Sequence, residues 1–108
     1  GVELSADDRR DEFLARLAAA GTPARWVCAA DLTHTGSALL TDLRRTSYPE
    51  TVWSRFAAGR DGTVRWYRLV YERLREVGFD GPIMTELGDV VAALEDAARV
   101  PDEPGRRR

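Results

Sequence analysis

Residues 59–88 read GRDGTVRWYRLVYERLREVGFDGPIMTELG, and the way this stretch divides decides whether the chain is built from helices alone or from helices and strands. Val64, Tyr67, Tyr71, Leu74 and Val77 recur every three or four residues, the spacing of one face of an α-helix. Asp61-Gly62 reads as a turn, Thr63 as the cap and Gly78 as the C-terminal stop, so a helix over 64–77 is expected. Beyond Asp80-Gly81-Pro82 two readings compete. Ile83, Leu87, Val90, Val91, Leu94 and Ala98 fit a helix in which Gly88 costs about 1 kcal/mol relative to alanine. A strand over 82–87, followed by a helix capped by Asp89, fits the same residues.

Upstream, almost every segment opens and closes with helix punctuation. Pro49 sits where a helix can begin, Val52, Trp53 and Phe56 follow at helical spacing, and Gly59 supplies a stop, giving a helix over 49–58. Before it, Gly36 interrupts, Ser37 can cap, and Leu39, Leu40 and Leu43 line a short helix ending near Arg45. Thr22-Pro23 favours a helix through Trp26, Val27, Ala30 and Leu32. The compact apolar run WVCAA makes a buried strand over 25–31 the competing reading. Ser5 with Asp8, then Phe13, Leu14, Leu17 and Ala18 up to Gly21, defines a first helix over about 6–20.

The expected fold is therefore mainly α, a single domain of five to six short helices over residues 1–100. The alternative is an α/β arrangement with short parallel strands at 25–31 and 82–87. Residues 101–108, PDEPGRRR, read as a flexible Arg-rich tail.

A chain of 108 residues has the size of one ordinary domain. Its apolar fraction of 44% and charged fraction of 31% are those of a soluble globular protein. No apolar run approaches the roughly 20 residues a bilayer requires. The opening GVELSADDRRDEF is charged and unlike a signal peptide, and a lone Cys28 makes no internal disulfide. A cytoplasmic protein without membrane contact is expected.

All 16 basic residues are arginine, which together with abundant alanine points to a GC-rich bacterium as the source. Residues 36–78 carry eight Arg against five acids, and residues 79–105 one Arg against seven acids. The middle of the chain is basic and its C-terminal part is acidic.

Two sets of residues suggest binding. The segment 37–58, Leu39–Arg45 and Pro49–Ala58 joined by Thr46-Ser47-Tyr48, has the dimensions of a helix-turn-helix. Val52, Trp53 and Phe56 would hold its second helix to the core. Arg44, Arg45, Thr51, Ser54, Arg55 and Arg60 then become candidate contacts to duplex DNA, because short polar side chains and arginine suit base edges and phosphates. The plainer reading is a helical hairpin with arginines on its solvated face. The second set is aromatic. Trp53, Phe56, Trp66, Tyr67 and Tyr71 fall within nineteen residues, and a helix here could show Trp66 on the face opposite Tyr67 and Tyr71. One core cannot bury both faces, so Trp66 with Arg65 and Arg68 marks a surface for a protein partner or for self-association.

Two resemblances accompany these readings. SYPETVWSRFAAGR resembles the recognition helix of excisionase-like and other small helix-turn-helix regulators, with Ser47 where the turn usually holds glycine. GRDGTVRWYRLVYERLREVGFDGPIMTEL resembles the C-terminal end of xylose isomerase-like sugar isomerases and epimerases. That second resemblance implies that Glu86, on a final barrel strand, is a metal ligand, with Asp31 and His34 near the end of an earlier strand, WVCAADLTHTG. The family usually has a histidine where this chain has Cys28. A complete barrel needs about 200 residues, so such a unit would act only as a fragment or in an oligomer.

The remaining candidates have ordinary readings. His34 in a Thr33–Gly36 turn reads as a surface imidazole, and Cys28 among apolar residues as an inert buried thiol. No GxxxxGK[ST] loop and no lysine are present, and no cofactor is expected. The leading functional expectation is a non-catalytic regulatory or adaptor module binding protein or DNA. The rival is a partial or degenerate sugar isomerase-like metal-binding unit.

Overall fold

The computed structural model describes residues 6–99. They form α1 (Ala6–Ala19), α2 (Thr22–Arg45), α3 (Pro49–Trp53), α4 (Gly59–Glu76) and α5 (Pro82–Arg99). No strand occurs among the described residues, and the fold is mainly α, as the punctuation implied. The Ser5 cap and the tail over 101–108 lie outside the described residues. None of the described helices is long and apolar enough to cross a membrane.

Residues 59–88 make two helices and the turn between them. On α4 the buried residues are Thr63, Tyr67, Val70 and Leu74. On α5 they are Ile83, Met84, Leu87, Val90, Val91 and Leu94. Both sets repeat at three and four residues, so each helix turns one apolar stripe inward. Gly78, at φ 79°, ends α4 in the left-handed conformation that glycine adopts without a Cβ penalty. Its N–H donates to Arg75 O at 3.0 Å and that of Phe79 to Leu74 O at 2.9 Å, the bond pair of a Schellman motif. Phe79 and Leu74, which that motif sets side by side, are both buried. Pro82 then starts α5, its fixed φ already helical.

The strand alternative is overturned at both places: 25–31 lies inside α2 and 82–87 is the first turn and a half of α5. WVCAA is apolar because α2 carries two apolar faces there, one toward the core and one toward α1. Nor does Gly36 interrupt: α2 is one helix of 24 residues, not two short ones. Gly36 is buried, and a Cβ there would stand 2.5 Å from Val90 Cγ1 and 3.0 Å from Tyr67 Cε2. The glycine is where α5 and α4 approach α2 closely. The Thr35 and Tyr67 hydroxyls share a hydrogen bond of 2.9 Å beside it. The packing offsets the helix cost of glycine, about 1 kcal/mol. His34 and Thr35 are thereby helical, not part of a turn.

Two further boundaries shift. Thr63 is no cap but a buried member of the α4 stripe, at 6% exposure, one turn before Tyr67. Asp61-Gly62 is helical, and Asp61 in the first turn favours the positive end of the helix dipole. The helix expected over 49–58 stops at Trp53. Only Val52 and Trp53 anchor α3. After them the chain tightens into i+3 bonds, Arg55 N–H to Val52 O at 3.2 Å and Phe56 N–H to Trp53 O at 3.1 Å. Phe56, expected in the core, is 37% exposed.

The core joins these elements into one contiguous cluster. The broadest helix–helix contact is α2 on α5, followed by α4 on α5, and α1 leans on α4. A second brace crosses α4 and α5. Arg68 donates from Nε and Nη2 to both carboxylate oxygens of Glu95, at 2.9 and 2.7 Å, and from Nη1 to Glu72 at 3.0 Å.

Candidate functional site

The structure places the sequence-derived candidates at three separate locations. Around the α2–α3 turn, Arg44 and Arg45 stand exposed in the last turn of α2. The other four proposed DNA contacts are bonded within the chain. Thr51 Oγ1 donates to Tyr48 O at 2.7 Å and Ser54 Oγ to Thr51 O at 3.0 Å. Arg55 pairs with Asp42 at 2.9 Å, and Arg60 Nε with Asp61 at 3.1 Å. The segment 37–58 is the end of a long helix followed by a helix of five residues, shorter than the reading element expected there.

On α4, Trp66 has an intramolecular partner. Phe13 of α1 packs on it at 5.5 Å between ring centroids, and the Arg10 guanidinium lies 5.7 Å over the same ring. The surplus aromatic face is what seats α1. Arg68 is committed to Glu95 and Glu72, which hold its guanidinium firmly charged, while Arg65 remains exposed. Third, the metal alternative is not assembled. Asp31 and His34 share an exposed side of α2, Glu86 stands on α5, and no three acidic, His or Cys side chains among the described residues group as ligands. The strand ends that the sugar-isomerase resemblance implied for them are helical.

A site that sequence reasoning missed lies between α1 and α2. Phe13, Arg16, Leu17 and Ala20 line one wall of an apolar groove of about 580 Å³, and Ala24, Val27, Cys28 and Asp31 line the other. Each wall is an i, i+3, i+4, i+7 set, so each is one face of its helix. On α2 this face lies about a third of a turn from the core face carrying Ala29 and Gly36. Val27 is 70% exposed, the highest value among the large apolar side chains of the described residues. Trp26, between the two faces, stands edge-on to Phe79 at 6.3 Å.

Two contacts fix α1 beside the groove, one at its C-terminal end and one on its α4 side. The Arg25 side chain, from α2, donates to Leu17 O at 3.3 Å and to Ala18 O at 2.6 Å. It satisfies carbonyls that the end of a helix leaves orphaned. Trp66 holds α1 from the α4 side. Burial, and then the neighbouring Asp31 carboxylate, push the Cys28 thiol up from its ordinary value. At neutral pH it is a mostly protonated, weakly polar part of the wall, with little thiolate.

A signal for this site was present. Residues 24–32, ARWVCAADL, place apolar side chains all round the helix, more than one core contact can absorb. Compared with known proteins, the chain matches no family model, no curated protein and no solved structure.

Proposed function

We propose that the chain is a non-catalytic adaptor or regulatory module of the cytoplasm that binds protein, and that the α1–α2 groove receives a helix of its partner. One observation carries the reading: two helix faces of identical spacing diverge and leave between them an apolar trough that the other described residues do not fill. Single exposed apolar side chains are ordinary on a protein surface, whereas a contiguous apolar trough with charged residues at its rim is the form of a binding site. The walls span two helical turns, about 10 Å, the length over which an amphipathic helix places a pair of anchors.

The apolar dye anilinonaphthalene sulfonate tests the site directly. The wild-type chain should enhance its fluorescence, and Ala24→Arg should abolish the enhancement while the far-ultraviolet circular dichroism stays unchanged. The same preparation tests DNA as the partner. Duplex binding that weakens steeply with salt, falls on Arg44→Ala/Arg45→Ala and survives Ala24→Arg would replace this reading with the nucleic-acid one.

A further inference from the structure

We propose that the helix received by the groove is α2 of a second copy, the chain pairing about a two-fold axis through its α1–α2 hairpins. This rests on the protein-binding reading and names its partner. A two-fold interface must be complementary to itself, because the same patch serves both sides. The groove face has that property in shape. Val27 and Phe13 protrude, at 70% and 38% exposure, while Ala20 and Ala24 leave recesses beside them.

It has the property in charge as well. Each wall carries one ionised side chain, and the two are of opposite sign, Arg16 on α1 and Asp31 on α2. Asp31 makes no ion pair among the described residues, and Arg16 reaches only Glu12, at 3.7 Å and exposed to solvent. The bonds from Arg25 to Leu17 and Ala18 set the levels of the two walls: Arg16 stands beside the first turns of α2. A two-fold axis at the level of Val27 and Cys28 runs the second α2 antiparallel to the first. Asp31 of the second copy then arrives at the level of Ala24, beside Arg16 of the first, and the reciprocal pair forms on the other side. The two Cys28 thiols come together near the axis.

The face on offer is about two helix diameters wide and two turns long, roughly 20 Å by 10 Å. That is smaller than a standard specific interface, so the pair should be weak, forming only at about tens to hundreds of micromolar chain. Sedimentation velocity up to about 0.5 mM chain covers that range. Wild type should convert from monomer to dimer, and Val27→Arg should stay monomeric. Arg16→Asp alone and Asp31→Arg alone should each weaken the dimer at least about tenfold, since like charges then face each other. The double variant should recover it, and an equimolar mixture of the two single variants should form the mixed dimer. A short bis-maleimide should join Cys28 to Cys28 in wild type but not in Val27→Arg.

A monomer throughout the concentration range overturns the pairing, as does a dimer indifferent to Val27→Arg and to both charge reversals. A wild-type monomer that still binds the dye in an Ala24-dependent way means that the groove serves another protein. If the dye does not bind either, the protein-binding reading falls with it.

Discussion

The two halves of α2 use the same spacing to opposite ends. From Gly36 onward the helix turns Gly36, Leu39 and Leu40 under the other helices, and all three are buried. Before it, Ala24, Val27, Cys28 and Asp31 repeat at the same three- and four-residue intervals and line an open groove. The neighbours make the difference: α5 and α4 close over the later half, while α1, tied by Arg25 at its end and seated on Trp66, leaves the earlier one partly open. Periodicity tells which residues share a face, and only tertiary placement tells whether that face is covered. On this molecule the covered face supplies stability and the uncovered face is the one we assign to recognition.

The sharpest way to break that division is to cut the covered half. Leu87 is fully buried, and Leu87→Ala should lower the unfolding free energy by about 2–5 kcal/mol in urea titrations, because a cavity adds to the lost transfer energy. Next comes Gly36→Ala. The added carbon meets Val90 at 2.5 Å and Tyr67 at 3.0 Å, and overpacking should cost about 1–3 kcal/mol despite the better helix propensity of alanine. A urea midpoint equal to or above wild type would show that the crossing does not depend on glycine. Gly88→Ala is its control. The added carbon meets only the Tyr71 ring, nearest at 2.9 Å from its hydroxyl, and Tyr71 is only partly buried. The ring can move aside, so the change should stay within about 0.5 kcal/mol.

A smaller effect comes from the brace between α4 and α5. Hydrogen bonds from Arg68, first, and then the charges of Arg68 and Arg99 hold the Glu95 carboxyl below its ordinary value against an opposing effect of burial. A carboxyl depressed in the folded state contributes stability above its unfolded pKa, about 4.3, and loses it as pH falls toward the folded value. Both side chains are partly exposed, 37% for Arg68 and 27% for Glu95, so Glu95→Gln should cost only about 0.5–1 kcal/mol at pH 7. The difference from wild type should hold down to about pH 5 and close below about pH 4. The smallest stability effect is on the uncovered half: Val27→Arg should change the unfolding free energy by less than about 0.5 kcal/mol, while abolishing association.

The same division explains which features are legible in the sequence. The stripes of α4 and α5 are readable because each has one apolar face and clean ends at Gly78 and Pro82. Gly36 reads as punctuation and is not. A glycine that breaks a helix and one that admits a neighbour look alike locally, and the second kind is recognised only when Val90 and Tyr67 are in place. The expected length of α3 fails because Phe56 continues the pattern while nothing lies opposite to bury it. Trp66 stands out as a surplus aromatic in the sequence, but the partner it finds is Phe13, fifty-three positions away. The groove stays hidden as long as every apolar residue of 24–32 is assigned to one core.

The two tyrosines of α4 fix the helices lengthwise. Tyr67 rests on Gly36 of α2, and Tyr71, one turn later, rests on Gly88 of α5. Sliding α2 by a single residue would bring Thr35 or Ser37 under the first ring, and sliding α5 would bring Leu87 or Asp89 under the second. Under Tyr67 the added Cβ finds no space, whereas Tyr71 can swing away from one; either slide also turns its helix by about 100°. The two glycines act as notches and α4 as the ruler they engage. Longitudinal slip, to which smooth helical bundles are prone, is blocked at Gly36 and only resisted at Gly88. The open half of α2 is consequently delivered to the surface at one height and one rotation.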